Sequence, residues 1–319
     1  MTASAAGTLR TVTGSIGARG FAFGLAHEHL FVDFLGPSDP GYGRVDRDEV
    51  RAACIERLAP VRAAGVDLLV DCTCLGVGRD VALLRDVSEA TGIAIVCATG
   101  IYKALRPPDL LGANAEELAD LFVRELTTGI DGGDVRAGFV KLATTETGPT
   151  EDETIVHRAG AMAAAATGAA IVLHSPRADV AEIVLVTLER EGSDPARLVW
   201  AHAQESALEA NLALAERGIT VSLDAIGTSD DEDMLRRIER FAEAGLDDRL
   251  VLSSDSSLVV HPAEMAYERD IGALPRSFLP KVEARLGKDL RDRLVRDNVA
   301  RAFGRTQPET GRPRDRTAI

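Results

Sequence analysis

The sequence predicts an α/β protein, a (β/α)8 or TIM barrel. The barrel occupies residues 1–304 as a single domain, and a polar tail follows over 305–319. Three observations carry the fold. Eight apolar runs of strand length recur, each followed by a stretch of helical periodicity. The runs are close to continuously apolar, as expected for parallel strands covered on the outside by helices. Gly65, Gly92, Gly168, Gly218 and Gly245 stand where helices should stop before the next strand. An open doubly wound sheet is the alternative, but the glycine-rich phosphate turn that often marks one is missing after the first strand.

Taken in order, the strand runs are FAFGLAHEHLF (21–31), DLLVDCTC (67–74), IAIVCATGIY (93–102), AGFVKLAT (137–144), AIVLHS (170–175), LVWAHA (198–203), ITVSLDAI (219–226) and LVLSSDS (250–256). The amphipathic stretches between and after them are 47–64, 79–91, 114–128, 151–167, 178–191, 204–217, 230–244 and 278–303. Asp46 and Asn114 are placed to cap two of these, and Thr150 with Glu153 forms a capping box for a third. The segment from Ser256 to Pro280 shows no clear strand and is expected to fold over the barrel mouth.

Composition removes several function classes. With 36 Lys+Arg against 50 Asp+Glu the net charge is −14, which argues against a surface built to grip nucleic acid or anionic membrane. No apolar run approaches the roughly 20 residues that span a bilayer. The opening MTASAAGTLRTVTG lacks the basic and apolar segments of a secretory signal. Cys54, Cys72, Cys74 and Cys97 are too few for a disulfide framework and read as reduced thiols of a cytoplasmic protein.

The chemistry concentrates at strand ends. Of six histidines, His27 and His29 close the first apolar run, His174 the fifth and His202 the sixth; Lys141 lies near the end of the fourth and Asp255 near the end of the eighth. In a barrel those ends converge on one face, where active sites form. A lone histidine at a strand end is more often structural, but four of six at such ends outweigh that reading. In His27-Glu28-His29 the residues i and i+2 share a face, so both imidazoles can reach one metal while Glu28 points away. Imidazole with carboxylate suits Zn, Mn, Co or Fe rather than Ca. Four imidazoles and a carboxylate exceed what one open catalytic metal needs, which implies two metals with a shared ligand. An ammonium at Lys141 would be repelled there, whereas a neutral amine can add CO2 to become a bridging carbamate. The simpler alternative pairs Lys141 with Asp255 or Glu146.

These residues, in the strings AHEH, AGFVKLAT, LHS, WAHA and SSD, together with IDGGDVRAG and RDNVARAF, resemble the phosphotriesterase family of the amidohydrolase superfamily. That family includes phosphotriesterases, phosphotriesterase-like lactonases and phosphotriesterase-related proteins. The resemblance spans about residues 12–304, with all six ligand positions filled in order. It implies two divalent metals, zinc foremost. His27, His29 and Asp255 would hold the more buried metal and His174 and His202 the more exposed one, with carboxylated Lys141 and a hydroxide bridging them. By the same resemblance the hydroxide attacks an ester carbon or phosphorus and Asp255 takes the proton.

The expected substrate is a small lactone or related carboxylic ester, with side activity on phosphotriesters, and the expected assembly is a homodimer. A phosphotriesterase proper is the alternative within this chemistry, and a Schiff-base aldolase using Lys141 is a distant one. Tyr102, in the Gly-Ile-Tyr stretch after the third strand, is the candidate to lie over the metals. Many lactonases of the family carry Arg after the seventh-strand Asp, where this chain has Ala225 after Asp224. His261 and Arg276 are further candidate substrate contacts, and His157 reads as structural.

Overall fold

The computed structural model describes residues 7–266 and 269–305. A hairpin of β1 (Thr8–Thr11) and β2 (Gly14–Gly17) comes first. The barrel follows: β3 (Gly24–Asp33), α1 (Arg47–Ala63), β4 (Leu68–Asp71), α2 (Val81–Thr91), β5 (Ala94–Val96), β6 (Ala98–Ile101) and α3 (Ala115–Thr127). It continues with β7 (Phe139–Ala143), α4 (Glu151–Thr167), β8 (Ala170–His174), α5 (Ala178–Arg190), β9 (Leu198–Ala201) and α6 (Leu208–Glu216). The chain ends through β10 (Thr220–Leu223), α7 (Asp231–Glu243), β11 (Leu250–Leu252), β12 (Ser257–His261), α8 (Leu279–Leu286), α9 (Lys288–Asp292) and α10 (Asn298–Phe303).

Every strand–strand pairing among the described residues outside the β1–β2 hairpin is parallel, in the orders β12-β3-β4-β5 and β6-β7-β8-β9-β10-β11, and an isolated antiparallel bridge joins Thr8 to Arg305. The halves join twice. β5 and β6 are one barrel strand interrupted at Cys97, and beyond β11 the Asp255 amide donates to the His27 carbonyl at 3.1 Å. The barrel expected from the sequence is therefore present. Its strands alternate as the pleat requires. On β8, Ala170 and Val172 join the inner cluster, while Ile171 and Leu173 join the outer layer beneath the helices. On β7 the same alternation places Lys141 between the outward Val140 and Leu142 and so turns it into the barrel. Phe139 and Phe303 meet edge-on at 5.4 Å in the inner cluster.

The expected helix signals act as read. Asp46 accepts from the Asp48 and Glu49 amides, and Asn114–Glu117 and Thr150–Glu153 are both complete capping boxes. Gly92 and Gly168 end their helices at φ 67° and 68°, the left-handed cap that suits glycine. The four cysteines are free and buried, and burial pushes Cys54, Cys74 and Cys97 up to about 12, keeping them protonated. No helix among the described residues is long and apolar enough to cross a membrane.

Three expectations change. β3 runs on to Asp33, so His27 and His29 lie within it rather than at its end. They still reach the mouth because Glu28 is level with Asp71, the last residue of β4, across a bulge between Leu25 and Glu28. The segment after Ser256, expected to lack a strand, contains β12, which pairs with the overhanging part of β3 from Ser257↔His29 to His261↔Asp33. Only Leu258, Val259 and Val260 are apolar there, too short a run to stand out. Arg305, assigned to the tail, pairs with Thr8; the remainder of that tail, 306–319, lies outside the described residues.

Candidate metal centre

Asp224, just beyond β10, organises the site. Its two carboxylate oxygens each accept from one imidazole, His27 Nδ1 at 2.9 Å and His202 Nδ1 at 2.9 Å. It also accepts from the His202 amide, Ser222 Oγ and Gln204 Nε2, so a fully buried charge is surrounded by donors. Burial works to raise its pKa, but the His202 and His27 imidazoles outweigh that and hold it well below the usual carboxylate range. With both Nδ1–H groups committed to Asp224, His27 and His202 present bare Nε2 lone pairs to the interior.

His29 reaches the same state by another route. Thr73 donates its hydroxyl proton to the Phe31 carbonyl at 3.2 Å, so its oxygen can only accept from His29 Nδ1, at 2.9 Å. His29 Nε2 then faces Asp255 Oδ1 at 3.4 Å, and His27 Nε2 faces the same oxygen at 3.5 Å. His27 Nε2 also lies 3.0 Å from Lys141 Nζ. Across the mouth, His202 Nε2 lies 2.6 Å from His174 Nδ1. Burial and then the Lys141 charge push His27 down to about 4, and burial with His202 takes His174 well below its ordinary value. For His202, burial opposes the proton but Asp224 prevails and raises the pKa.

The backbone bends to deliver two of these groups. His202 and Asp255 have φ of 63° and 48°, left-handed conformations that cost an ordinary residue on the order of 1–3 kcal/mol and cluster at functional sites. Asp224 steadies the first through the His202 amide. Glu28 steadies the second: its carboxyl accepts from Ser253 Oγ at 2.7 Å and from the Ser254 and Ser256 amides at 2.9 and 2.6 Å, gripping both sides of Asp255. Burial pushes Glu28 up to about 8 against those donors. Asp255 Oδ2 is taken by Arg269 Nη1 at 2.7 Å. Burial acts to raise the Asp255 pKa, but His27 and His29 hold it well below the carboxylate range.

This donor set fits divalent cations. His174 Nδ1 and His202 Nε2 are in hydrogen-bond contact at 2.6 Å, and beside them the lone-pair nitrogens of His27 and His29 and a carboxylate oxygen of Asp255 point at one another across a gap. That arrangement of His27, His29 and Asp255 is repulsive until a cation lies between the donors. The further cluster of His27, His202 and Asp224 involves the Nδ1 atoms and orients the rings instead of opening another gap.

Sequence comparison agrees with the geometry. The model of the phosphotriesterase family matches residues 7–303. The chain belongs to this family. Phosphotriesterase-family enzymes are metal-dependent hydrolases of esters and phosphoesters, and so is this protein. Among its relatives, the aryldialkylphosphatase of Saccharolobus solfataricus is 30% identical over 274 residues, covering 85% of each chain. A phosphotriesterase homology protein of Mycobacterium tuberculosis is 33% identical over 268 residues, 78% of this chain and 80% of the relative. A solved variant of a PTE-like lactonase from Deinococcus radiodurans superposes with a TM-score of 0.82 at 28% identity, covering 93% of this chain and 100% of that one.

Within this family frame, the structure brings His27, His29, Lys141, His174, His202 and Asp255 together. Lys141 makes an ion pair with neither Asp255 nor Glu146 among the described residues, so that alternative is set aside. Tyr102 joins the rim, its hydroxyl 3.3 Å from His174 Nε2 and its ring edge-on to that imidazole at 5.3 Å. Ala225 is buried in the core, and its carbonyl accepts from the Thr228 and Ser229 amides. His261 ends β12, half-buried. Arg276 is not gathered with them: Asp270 holds its guanidinium at 2.6 and 2.8 Å beside a small cavity against Pro60 and Val61 of α1. His157 is buried and bonds the Ala143 carbonyl at 3.3 Å. The supporting roles of Asp224, Thr73, Glu28 and Arg269 were not read from the sequence. The signal for Asp224 and Thr73 is that each ligating imidazole needs a partner on its other nitrogen.

Proposed function

We propose that this family member is a binuclear hydrolase of lactones or related carboxylic esters, with weaker action on phosphotriesters. The observation that carries the lactone reading is Tyr102 at the rim, its hydroxyl against His174 at 3.3 Å. The likeness to the PTE-like lactonase supports it. In this reading His27, His29 and Asp255 would hold one metal and His174 and His202 a second, and Lys141, carboxylated by CO2, would supply a further anionic ligand. Bound there, the metals supply an activated water and polarise the bond to be cleaved.

The chain's own groups do the rest. Asp224 and Thr73 fix the tautomers of three imidazoles before substrate arrives. Asp255 turns Oδ1 toward His27 and His29 and keeps Oδ2, held by Arg269, as the oxygen that takes a proton from the attacking water. Tyr102 offers a hydroxyl to the substrate's ring or leaving oxygen and a ring face to its apolar part. Family membership leaves the Schiff-base use of Lys141 without support. The similarity to an aryldialkylphosphatase favours phosphotriesters as the second reading.

The test is a side-by-side screen of metal-reconstituted enzyme against lactones, aryl esters and phosphotriesters. A lactone should give the highest kcat/KM, and absence of lactone turnover beside rapid phosphotriester hydrolysis overturns the lactone reading.

A further inference from the structure

Three arginines, Arg10, Arg136 and Arg305, approach one another at the opposite end of the barrel, and none of them is in an ion pair among the described residues. Arg305 lies opposite Thr8 in an antiparallel bridge, and Arg10 is two residues further along β1, so both side chains leave the same face of that ribbon. Arg136, in the loop before β7, lines a cavity of about 450 Å³ together with Arg10, Thr11, Thr13 and Gly14. Arg305 is 9% exposed, and the one hydrogen bond of its side chain among the described residues runs from Nη1 to the Leu126 carbonyl at the end of α3, at 3.2 Å. Its Nε and Nη2 atoms and the Nε of Arg10 are closed to solvent and have no partner among the described residues. Other arginines with an orphaned nitrogen are already neutralised: Arg47 by Asp80, Arg106 by Asp152 and Arg301 by Asp248.

Carboxylates stand nearby without answering this charge. Asp134 and Glu89 line the same cavity, but Asp134 is engaged by Arg85 at 2.7 Å. Burial, then Arg10 and Arg136, push Arg305 down to about 10, and burial with Arg136 lowers Arg10. A protein of net charge −14 has ample acid to pair three arginines, and here it leaves them facing one another. Like charges held together are costly, and a multivalent oxyanion in the adjoining cavity offsets them while accepting from the guanidinium nitrogens that reach it.

We propose that Arg10, Arg136 and Arg305 form a binding site for a small tetrahedral oxyanion of the phosphate or sulfate class, on the N-terminal face of the barrel and remote from the metal centre. Guanidinium forks match such an anion in charge and geometry, and the adjoining cavity admits it from solvent. Binding ties β1, the β7 approach and Arg305 together, so its effect is on stability.

The experiment is thermal unfolding of the full-length, metal-loaded enzyme in chloride buffer, titrated with sodium sulfate against sodium chloride of equal ionic strength. Relative to chloride, wild type should show a rise in Tm that grows with the logarithm of sulfate concentration, about 2 °C once sulfate exceeds its Kd tenfold. Arg136→Gln should lose that rise while keeping wild-type turnover; Arg10→Gln takes its place if that variant does not fold. A rise of equal size in the variant, or none in wild type beyond that in chloride, overturns the site.

Discussion

Replacing Asp224 by Asn preserves the size of the side chain and removes one of the two acceptors on which the site depends. In the native protein both carboxylate oxygens accept imidazole protons, from His27 Nδ1 and His202 Nδ1, each at 2.9 Å. An amide keeps one oxygen and turns an NH2 toward the other ring. That ring must then move its proton to Nε2, losing the lone pair it presents to the interior, or face a donor–donor contact. A hydrogen bond to a charged group is worth about 1.5–3 kcal/mol, which corresponds to a weakening of metal binding by roughly 10- to 150-fold. The range reported for groups that orient metal ligands, about 10- to 100-fold, agrees. The assay is competition against a chelator followed by elemental analysis, with kcat measured on the same samples. Asp224→Asn should release metal at about 10- to 100-fold less chelator than wild type, with far-ultraviolet circular dichroism unchanged. Metal retention equal to wild type, with kcat within about twofold, would refute the view that Asp224 sets the tautomers.

Three further outcomes are expected. Lys141→Ala should lose metal and activity, and a short carboxylic acid supplied with metal should restore part of the activity; wild-type metal content in Lys141→Ala would show that the lysine bridges nothing. Tyr102→Phe should lower lactone kcat/KM by about 10- to 100-fold, one to three kcal/mol for the lost hydroxyl, while phosphotriester hydrolysis falls much less; equal losses on both substrates would make Tyr102 a packing residue. The last concerns pH in the metal-free protein. His27 is lowered from 6.5 to about 4, so the unfolded chain binds its proton first, and the stability it contributes is complete above about 6.5 and is lost as pH falls through 4. Urea unfolding of wild type relative to His27→Asn, in which Glu28 and the other titrating groups are common to both, should show that contribution shrink by about 3 kcal/mol over the window. A difference independent of pH would contradict the assignment.

The barrel was legible because its strands are unbroken apolar runs and its helices carry caps and glycine stops, local signals that need no tertiary context. The six candidate ligands were legible for a related reason: histidines are scarce, and those on barrel strands are all carried to one mouth. What escaped depended on contacts between distant parts of the chain. Glu28 was correctly read as turned away from its neighbouring histidines, but the sequence held no sign that it would meet the Ser253–Ser256 turn more than two hundred residues later. Asp224 lies at the end of an ordinary apolar strand, and its role exists only because His27 and His202 approach it from opposite sides. β12 was missed because its three apolar residues make a strand only beside the overhang of β3.

These residues are proposed to form a two-metal hydrolase centre joined by a modified lysine. Anomalous diffraction from crystals of the metal-loaded enzyme, with elemental analysis of the same preparation, tests it most directly. The expected result is two metals per chain, one bounded by His27, His29 and Asp255 and one by His174 and His202, with density extending Lys141 Nζ into a carboxylate between them. A single metal or none in a fully active preparation, with Lys141 ending at an unmodified amine, would contradict it.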